Sequence, residues 1–295
     1  MDCSFLNEIA VLPRQLVLAG VSDAVGLGQL RSVWGMTLAR LAPGAFGCVF
    51  EGKQDENKNQ RPAYALSDLG AQADGLRLIR WTLIGRGALE HDAALCAAWE
   101  AAGRVGVGGG RVPFQVTAAR LLGPAGEIAE AGGADAAGAW RLGDAQWPLP
   151  GDPARTPCRL TFPGGLQLRF KQAGKTARFE DPSWPAIIDA ACRRLAAWLP
   201  EELHDDLAAA QAGWLDDAAR LPMTVSTRPA TTSGWSRRQQ LRTGEGRKQY
   251  LAHVGPISLP GGPGAGWPLL LAASRLAIGH HTTEGMGWFR IDPLG

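Results

Sequence analysis

The sequence predicts an α+β protein of two domains in tandem, residues 1–150 forming the first, with a ferredoxin-like pattern, and 151–295 the second. Three observations predict it. Up to residue 122 the chain alternates strand and helix patterns in the order β, α, β, β, α, β, provided a short strand lies near residues 48–50; this is the split βαβ pattern. A weakly patterned Gly/Ala-rich stretch, 123–157, then ends in Pro148, Pro150, Pro153 and Pro157, where a domain boundary belongs. Beyond it, strand and helix signals resume to the end of the chain.

The elements follow from periodicity. Residues 15–20 (QLVLAG) have strand character, and Leu30, Val33, Trp34, Leu38 and Leu41 recur at helical spacing across 29–41. Polar residues 53–62 read as an exposed loop. Residues 76–84 (LRLIRWTLI) alternate as a strand, and Leu89, Leu95, Ala98 and Trp99 give 88–102 an apolar helical face. A glycine-dense connection, 103–111, leads into a strand at 112–122. The second half opens with a hairpin signal, CRLTF and LQLRF around Pro163-Gly164-Gly165. Ser183 and Pro185 start a helix carrying Ile187, Ile188, Ala191, Leu195 and Trp198, and Pro200-Glu201-Glu202 begins another that ends near Arg220. A strand at 223–226, a basic stretch, a strand at 250–254, a Gly/Pro loop over 255–266, a helix at 267–277 and a terminal strand at 287–291 complete the chain.

Composition narrows the function classes. With 30 Lys+Arg, 28 Asp+Glu and 45% hydrophobic residues, the chain is too apolar and too near neutrality to be disordered. Its 39 Gly and 20 Pro show no three-residue period, which excludes collagen. No uncharged apolar run reaches the roughly 18 residues of a membrane span, and Met1-Asp2-Cys3-Ser4 does not open a signal peptide, so a soluble, cytoplasmic protein without a membrane partner is expected. The five scattered cysteines form no CxxC pair, so no zinc site or other metal is expected.

Charge patterning is more specific. Between residues 228 and 248 six basic groups (Arg228, Arg237, Arg238, Arg242, Arg247, Lys248) face one acid, Glu245, a local positive field that the net charge of +2 conceals. Trp235, Ser236, Gln239 and Gln240 lie among them, so the segment reads either as a phosphate and RNA contact or as a solvated basic loop. Near the end, Gly279-His280-His281-Thr282-Thr283-Glu284-Gly285-Met286-Gly287 combines glycines that permit positive φ with polar groups that a phosphodiester can meet. Adjacent histidines point apart on a strand and no HxxxH accompanies them, which argues against metal. The 106–110 glycine cluster follows a helix and lacks GxxxxGK[ST], so it is no nucleotide loop, though Arg104 and Arg111 beside it suit phosphate contacts. Arg31 and Arg40 fall on roughly opposite sides of the first helix, one free to face RNA while the other braces the fold, or both ordinary surface residues. His91 and His204 read as surface residues, and His253 as either structural or part of a site. No GxSxG is present, and the acidic pairs Asp205-Asp206 and Asp216-Asp217 sit on amphipathic helices.

In order, LRSVWGMTLARLAPGAFGCVFEG, RPAYALSDLG, LRLIRWTLIGRGAL and GRVGVGGGRVPFQV resemble the first half of the CRISPR-associated repeat-processing endoribonucleases of the RAMP superfamily. WSRRQQ, YLAHVG and LLLAASRLAIGHHTTEGMGWFRI resemble the same family's carboxyl-terminal core, and the last of these is the most specific match. The resemblance implies paired ferredoxin-like, RRM-like domains that bind the repeat stem-loop of precursor CRISPR RNA and cut it once without metal or small-molecule cofactor. The 2′-OH attacks the adjacent phosphate, leaving a 2′,3′-cyclic phosphate and a 5′-OH, and the mature guide RNA stays bound within an effector complex of other CRISPR subunits. The family commonly places a catalytic histidine on or beside the early helix, which here has none; members without it, including type IV variants, surround the cleavage site with arginines. Arginine is too basic to act as a base but can hold phosphate. Under this resemblance Arg31, Arg40, Arg242, His280 and His281 are catalytic candidates. Arg104, Arg111, Ser236, Arg237, Arg238, Gln239, Arg247, Lys248, Gly279, Thr282, Thr283, Gly285 and Gly287 are the candidates for RNA binding. The missing histidine keeps a second reading open, a non-catalytic RNA-binding subunit of an effector complex.

Overall fold

The computed structural model describes residues 2–52, 61–72, 74–129, 138–170, 178–179, 181–226, 228–235 and 247–294. The first half contributes β1 (Ala10–Ala19), α1 (Leu27–Leu41), α2 (Pro43–Val49), β2 (Tyr64–Ala71), β3 (Arg77–Ile84), α3 (Arg86–Leu89), α4 (Asp92–Val105) and β4 (Gln115–Leu121). Its sheet runs β2-β3-β1-β4 with every neighbour antiparallel, and β5 (Trp140–Arg141) pairs with the start of β1. The second half contributes β6 (Cys158–Thr161), β7 (Arg169–Phe170), β8 (Arg178–Phe179), α5 (Trp184–Ala196), α6 (His204–Ala218), β9 (Thr224–Val225), β10 (Arg228–Trp235), β11 (Arg247–Val254), β12 (Pro256–Leu259), α7 (Trp267–Leu276) and β13 (Arg290–Pro293). Its main sheet runs β13-β6-β12-β9. With the strands of each main sheet numbered by sequence, both sheets read 4-1-3-2, the ferredoxin-like order, so the fold is α+β with two such units in tandem. The second unit carries a long β10–β11 ribbon between its second and third strands.

Three local expectations are corrected. Residues 48–50 are not a strand: they close α2, whose Pro43 sits at the first helical position with φ already suited to it, and whose Ala45 and Val49 bury one face. The second strand is β2. The expected hairpin between 158–162 and 166–170 does not form, because both edges of β6 are taken, by β12 (Leu160 opposite Ile257) and by β13 (Leu160 opposite Ile291). Leu166 instead bridges to His253, and β7 pairs with β8. The Gly/Pro stretch after Gly255 hides β12, a central strand whose Ile257 and Leu259 are fully buried.

Each half has its own core. Helix α1 buries Leu27, Leu30, Val33, Trp34 and Leu38 against the first sheet, and its start is capped by the Gln29 side chain, which accepts from the Gly26 N–H at 2.9 Å. Trp34 lies at the centre of an aromatic cluster, stacked on Trp99 at 4.9 Å between centroids, with Phe50, Trp81 and Tyr64 at 4.7, 5.0 and 5.5 Å. In the second core, α5, α6 and α7 pack on β6 and β12, joined by Phe5, Leu6 and Ile9 from the start of the chain. The first sheet turns its other face to the second half, where Ala65 packs with Ala277 and Trp288. Among the described residues, no helix is long and apolar enough to cross a membrane.

Candidate active site

The chain between α7 and β13 is a glycine loop held against both halves of the molecule. Ala277, Gly279, His281, Gly285 and Gly287 all have positive φ. The loop is pinned by His280 N–H donating to the Gln167 carbonyl at 3.0 Å, Gly287 N–H to the Gly165 carbonyl at 2.9 Å, and Ile278 N–H to the Gly287 carbonyl at 3.0 Å. A Cβ on Gly279 would overlap the Gln167 carbonyl, one on Gly285 the Leu27 side chain, and one on Gly287 the Ile278 carbonyl. These three glycines therefore serve close approach of the chain to itself, and Gly285 and Gly287 are buried. Gly287→Ala is expected to lower global stability by about 2 kcal/mol or more, since φ is +75° and the overlapping atom belongs to the backbone. Urea unfolding checks this, and a variant as stable as the wild type would mean the loop is looser than described.

The short helical turn Thr282–Glu284 lies along β2 and the start of α1. There Arg31 Nε donates to the Tyr64 hydroxyl at 2.6 Å, and Thr283 hydrogen-bonds the same hydroxyl. Burial pushes the Tyr64 pKa up and outweighs the pull of Arg31 and Thr283 in the opposite direction, so the phenol is neutral at physiological pH. The Arg31 guanidinium stands 5.7 Å from the Phe50 ring centroid and 5.9 Å from that of Tyr64. Just beyond, His281 Nδ1 is 3.7 Å from the Glu284 carboxylate, and the His280 and His281 rings are 6.4 Å apart. One helix of the first unit and one loop of the second thus meet at a buried hydroxyl as well as where Leu27 packs on Gly285.

Beside this junction opens a pocket of about 610 Å³. Its walls are Arg61 and Pro62 ahead of β2, Leu168, the α5 residues Ala190, Arg193 and Arg194, and the loop from Gly279 to Thr283. Arg193 is ion-paired with Asp189, which also accepts from Gln211 at 3.1 Å. Arg194 Nε donates to the Leu276 carbonyl at 3.2 Å, and its guanidinium lies 5.9 Å from the Trp198 ring centroid. Burial, with the nearby Arg61 charge, pushes the Arg194 pKa down to about 10. The pocket is positive, partly apolar and open to a chain.

Of the residues singled out from the sequence, the structure brings together Arg31, Gly279, His280, His281, Thr282, Thr283 and Gly285. Arg40 is exposed in the last turn of α1, nine residues and about 13 Å along the axis from Arg31. Arg104, exposed in the last turn of α4, and Arg111, exposed on the α4–β4 connection, line no wall of the pocket. Ser236, Arg237, Arg238, Gln239 and Arg242 lie outside the described residues. Arg247 and Lys248 stand on β11 opposite Trp235 and Gly234, at the last described pairs of the ribbon. The foot of that ribbon is tied to the glycine loop's support, since Leu166 and His253 exchange backbone hydrogen bonds at 2.8 Å, and β10 lies against α1. His253 itself is buried, with Nε2 3.5 Å from the Asp181 carboxylate. His91 precedes the first residue of α4 without a side-chain capping hydrogen bond, and His204 reaches the Ala196 carbonyl at 3.1 Å. The sequence reading missed Arg61, Arg193, Arg194 and Tyr64. The adjacent pair Arg193-Arg194 on an otherwise Ala/Leu/Ile-rich helix was the available signal.

No protein-family model and no curated protein matches the chain. Solved structures do. A product complex of Thermus thermophilus Cas6 (TTHB231) aligns with a TM-score of 0.60 at 15% identity, over 95% of this chain and 98% of that one. A product complex of Cas6 (TTHA0078) aligns with a TM-score of 0.50 at 20% identity, over 96% and 99%. A partial Cas6-RT-Cas1–Cas2 complex aligns with a TM-score of 0.52 at 10% identity, over 96% of this chain and 46% of that one. The tandem ferredoxin-like fold is the one these Cas6 structures share.

Proposed function

We propose that the protein binds the repeat stem-loop of CRISPR RNA and cuts it once, without a metal ion, to give the mature guide RNA. The observation that carries this reading is the junction of α1 with the glycine loop beside an arginine-lined pocket, on a fold otherwise seen in Cas6 product complexes. In this reading residues 1–150 and 151–295 act as two domains that close on the RNA, with Arg237, Arg238, Arg242, Arg247 and Lys248 gripping phosphates of the stem. The 2′-OH attacks the adjacent phosphate, so the enzyme has to align it, stabilise the added charge on phosphate and move two protons. Pocket arginines hold the phosphate. His281, beside Glu284, moves a proton, an imidazole being able both to accept and to donate one. Arg31 and Tyr64 hold α1 against the loop that carries His281. The product hairpin stays bound, and the protein assembles with other CRISPR subunits, as the Cas6 part of the Cas6-RT-Cas1–Cas2 complex does with its own.

Incubation of the pure protein with repeat RNA in EDTA is expected to yield a single cut with 2′,3′-cyclic phosphate and 5′-OH ends, and a 2′-deoxy nucleotide at the cut is expected to abolish it. One feature favours a second reading, a non-catalytic RNA-binding subunit: α1 carries no histidine, and its Arg31 is already engaged by Tyr64. Tight binding with the RNA left intact after prolonged incubation selects that reading and ends the enzymatic one.

A further inference from the structure

The pocket between α5 and the glycine loop gathers cations without gathering anions. Arg193 has its carboxylate in Asp189, but neither Arg61 nor Arg194 has an ion-pair partner among the described residues. Arg194 Nη2 is buried and has no hydrogen-bond acceptor, although its Nε is satisfied by the Leu276 carbonyl. Arg61, exposed at the rim, stands close enough to disfavour the charge on Arg194. A desolvated guanidinium nitrogen with no acceptor is costly, and a second like charge adds to the cost. Both penalties vanish when one anion is shared between the two side chains.

We propose that this pocket is a phosphate subsite for one nucleotide, its phosphate bridging Arg61 and Arg194 and its sugar and base lying along Pro62 and Leu168. The planar donor fork of a guanidinium matches phosphate oxygens in pairs, which favours phosphate over a halide. The volume of about 610 Å³ falls in the range of pockets that enclose small organic ligands, so a whole nucleotide fits, not only the anion. The same chemistry is offered by an unstacked nucleotide of a bound RNA and by a free nucleoside monophosphate. The RNA source rests on the proposed RNA-processing function; the subsite itself does not.

Thermal unfolding of the full chain, with inorganic phosphate or adenosine 3′-monophosphate against chloride at equal ionic strength, tests it. Both phosphates are expected to raise the melting temperature with a saturable dependence, and the nucleotide to act at lower concentration. Arg194→Gln is expected to weaken apparent binding about tenfold or more, the loss typical of a charged hydrogen-bond donor. Arg61→Gln, at an exposed position that does not threaten folding, is expected to lose the phosphate response while melting no lower than the wild type without ligand, because the like charge is gone. A residue with only a structural role would not combine those two effects. Absence of any phosphate response in the wild type, or wild-type responses in both variants, overturns the subsite. If the responses behave as expected, weakened repeat-RNA binding in Arg194→Gln identifies the RNA as the source, and unchanged RNA binding identifies the free nucleotide. A phosphate response in a protein that never cuts repeat RNA overturns the enzymatic function and leaves the subsite standing.

Discussion

Arg31→Met is expected to slow cutting of repeat RNA by about 10²-fold in single turnover at saturating RNA, the scale of losing about 1 Å of alignment at the reacting groups through a change made away from them. Arg31 reaches no further than the Tyr64 hydroxyl in the described contacts, so it is a positioning residue: it keeps α1, β2 and the Thr282–Glu284 turn in one arrangement, and with them His281. Methionine retains the unbranched stem that packs near Phe50 but removes the donor and the charge. Two companion variants separate this role from a general loss of stability. Tyr64→Phe removes the hydroxyl through which the coupling runs and is expected to reproduce most of the defect, while Arg31→Lys, still cationic but without the planar fork, is expected to recover only part of the rate. A Tyr64→Phe protein that cuts at the wild-type rate beside an inactive Arg31→Met protein would mean that Arg31 acts on the RNA directly and that the coupling described here is incidental.

Trp34→Ala is expected to destabilise the protein by about 3–5 kcal/mol, measured as a shift in urea midpoint at constant slope. The indole is fully buried, meets four aromatic rings and donates through Nε1 to the Leu95 carbonyl at 3.2 Å. Its removal leaves a cavity that rigid neighbouring rings cannot fill, and it takes the indole donor away from the Leu95 carbonyl on α4. Trp34→Phe, which keeps a ring in place, is expected to cost clearly less. A loss below about 1.5 kcal/mol for the alanine variant would show that the cluster can collapse and is not the anchor of α1. The two variants are connected through the helix: Trp34 lies one turn after Arg31, so the residue that fixes the rotation of α1 on the sheet also decides where Arg31 points.

How much was legible in the sequence differs from element to element. The apolar spacing from Leu30 to Leu38 placed α1 within two residues of its start, and Ser183 with Pro185 placed the start of α5, where the Ser183 hydroxyl accepts from Ala186 N–H at 3.2 Å. These are local signals, set by which face of a helix is buried and by capping within one turn. The segment 48–50 was misread because three apolar residues fit a strand and a helix end equally well, and only the position of Pro43 separates the two. The CRLTF and LQLRF pair had a convincing turn between them, yet β6 took its partners from beyond residue 255. In the site, the paired histidines and the glycines stood out, whereas Arg61 and Tyr64 did not, because nothing within ten residues of either marks them as close to Arg194 or Thr283.

The amino-acid order on its own determined the types of most elements, the split βαβ rhythm of the first half, the basic content of 228–248 and the polar glycine loop before the last strand. Tertiary structure alone decided which strands are neighbours, and that Arg31, Arg61, Arg194 and His281 come from four separate stretches to one place. The physical reason is that periodicity records only whether a side chain is covered. What covers it is chosen by competition among distant edges and faces, so no local pattern can announce it.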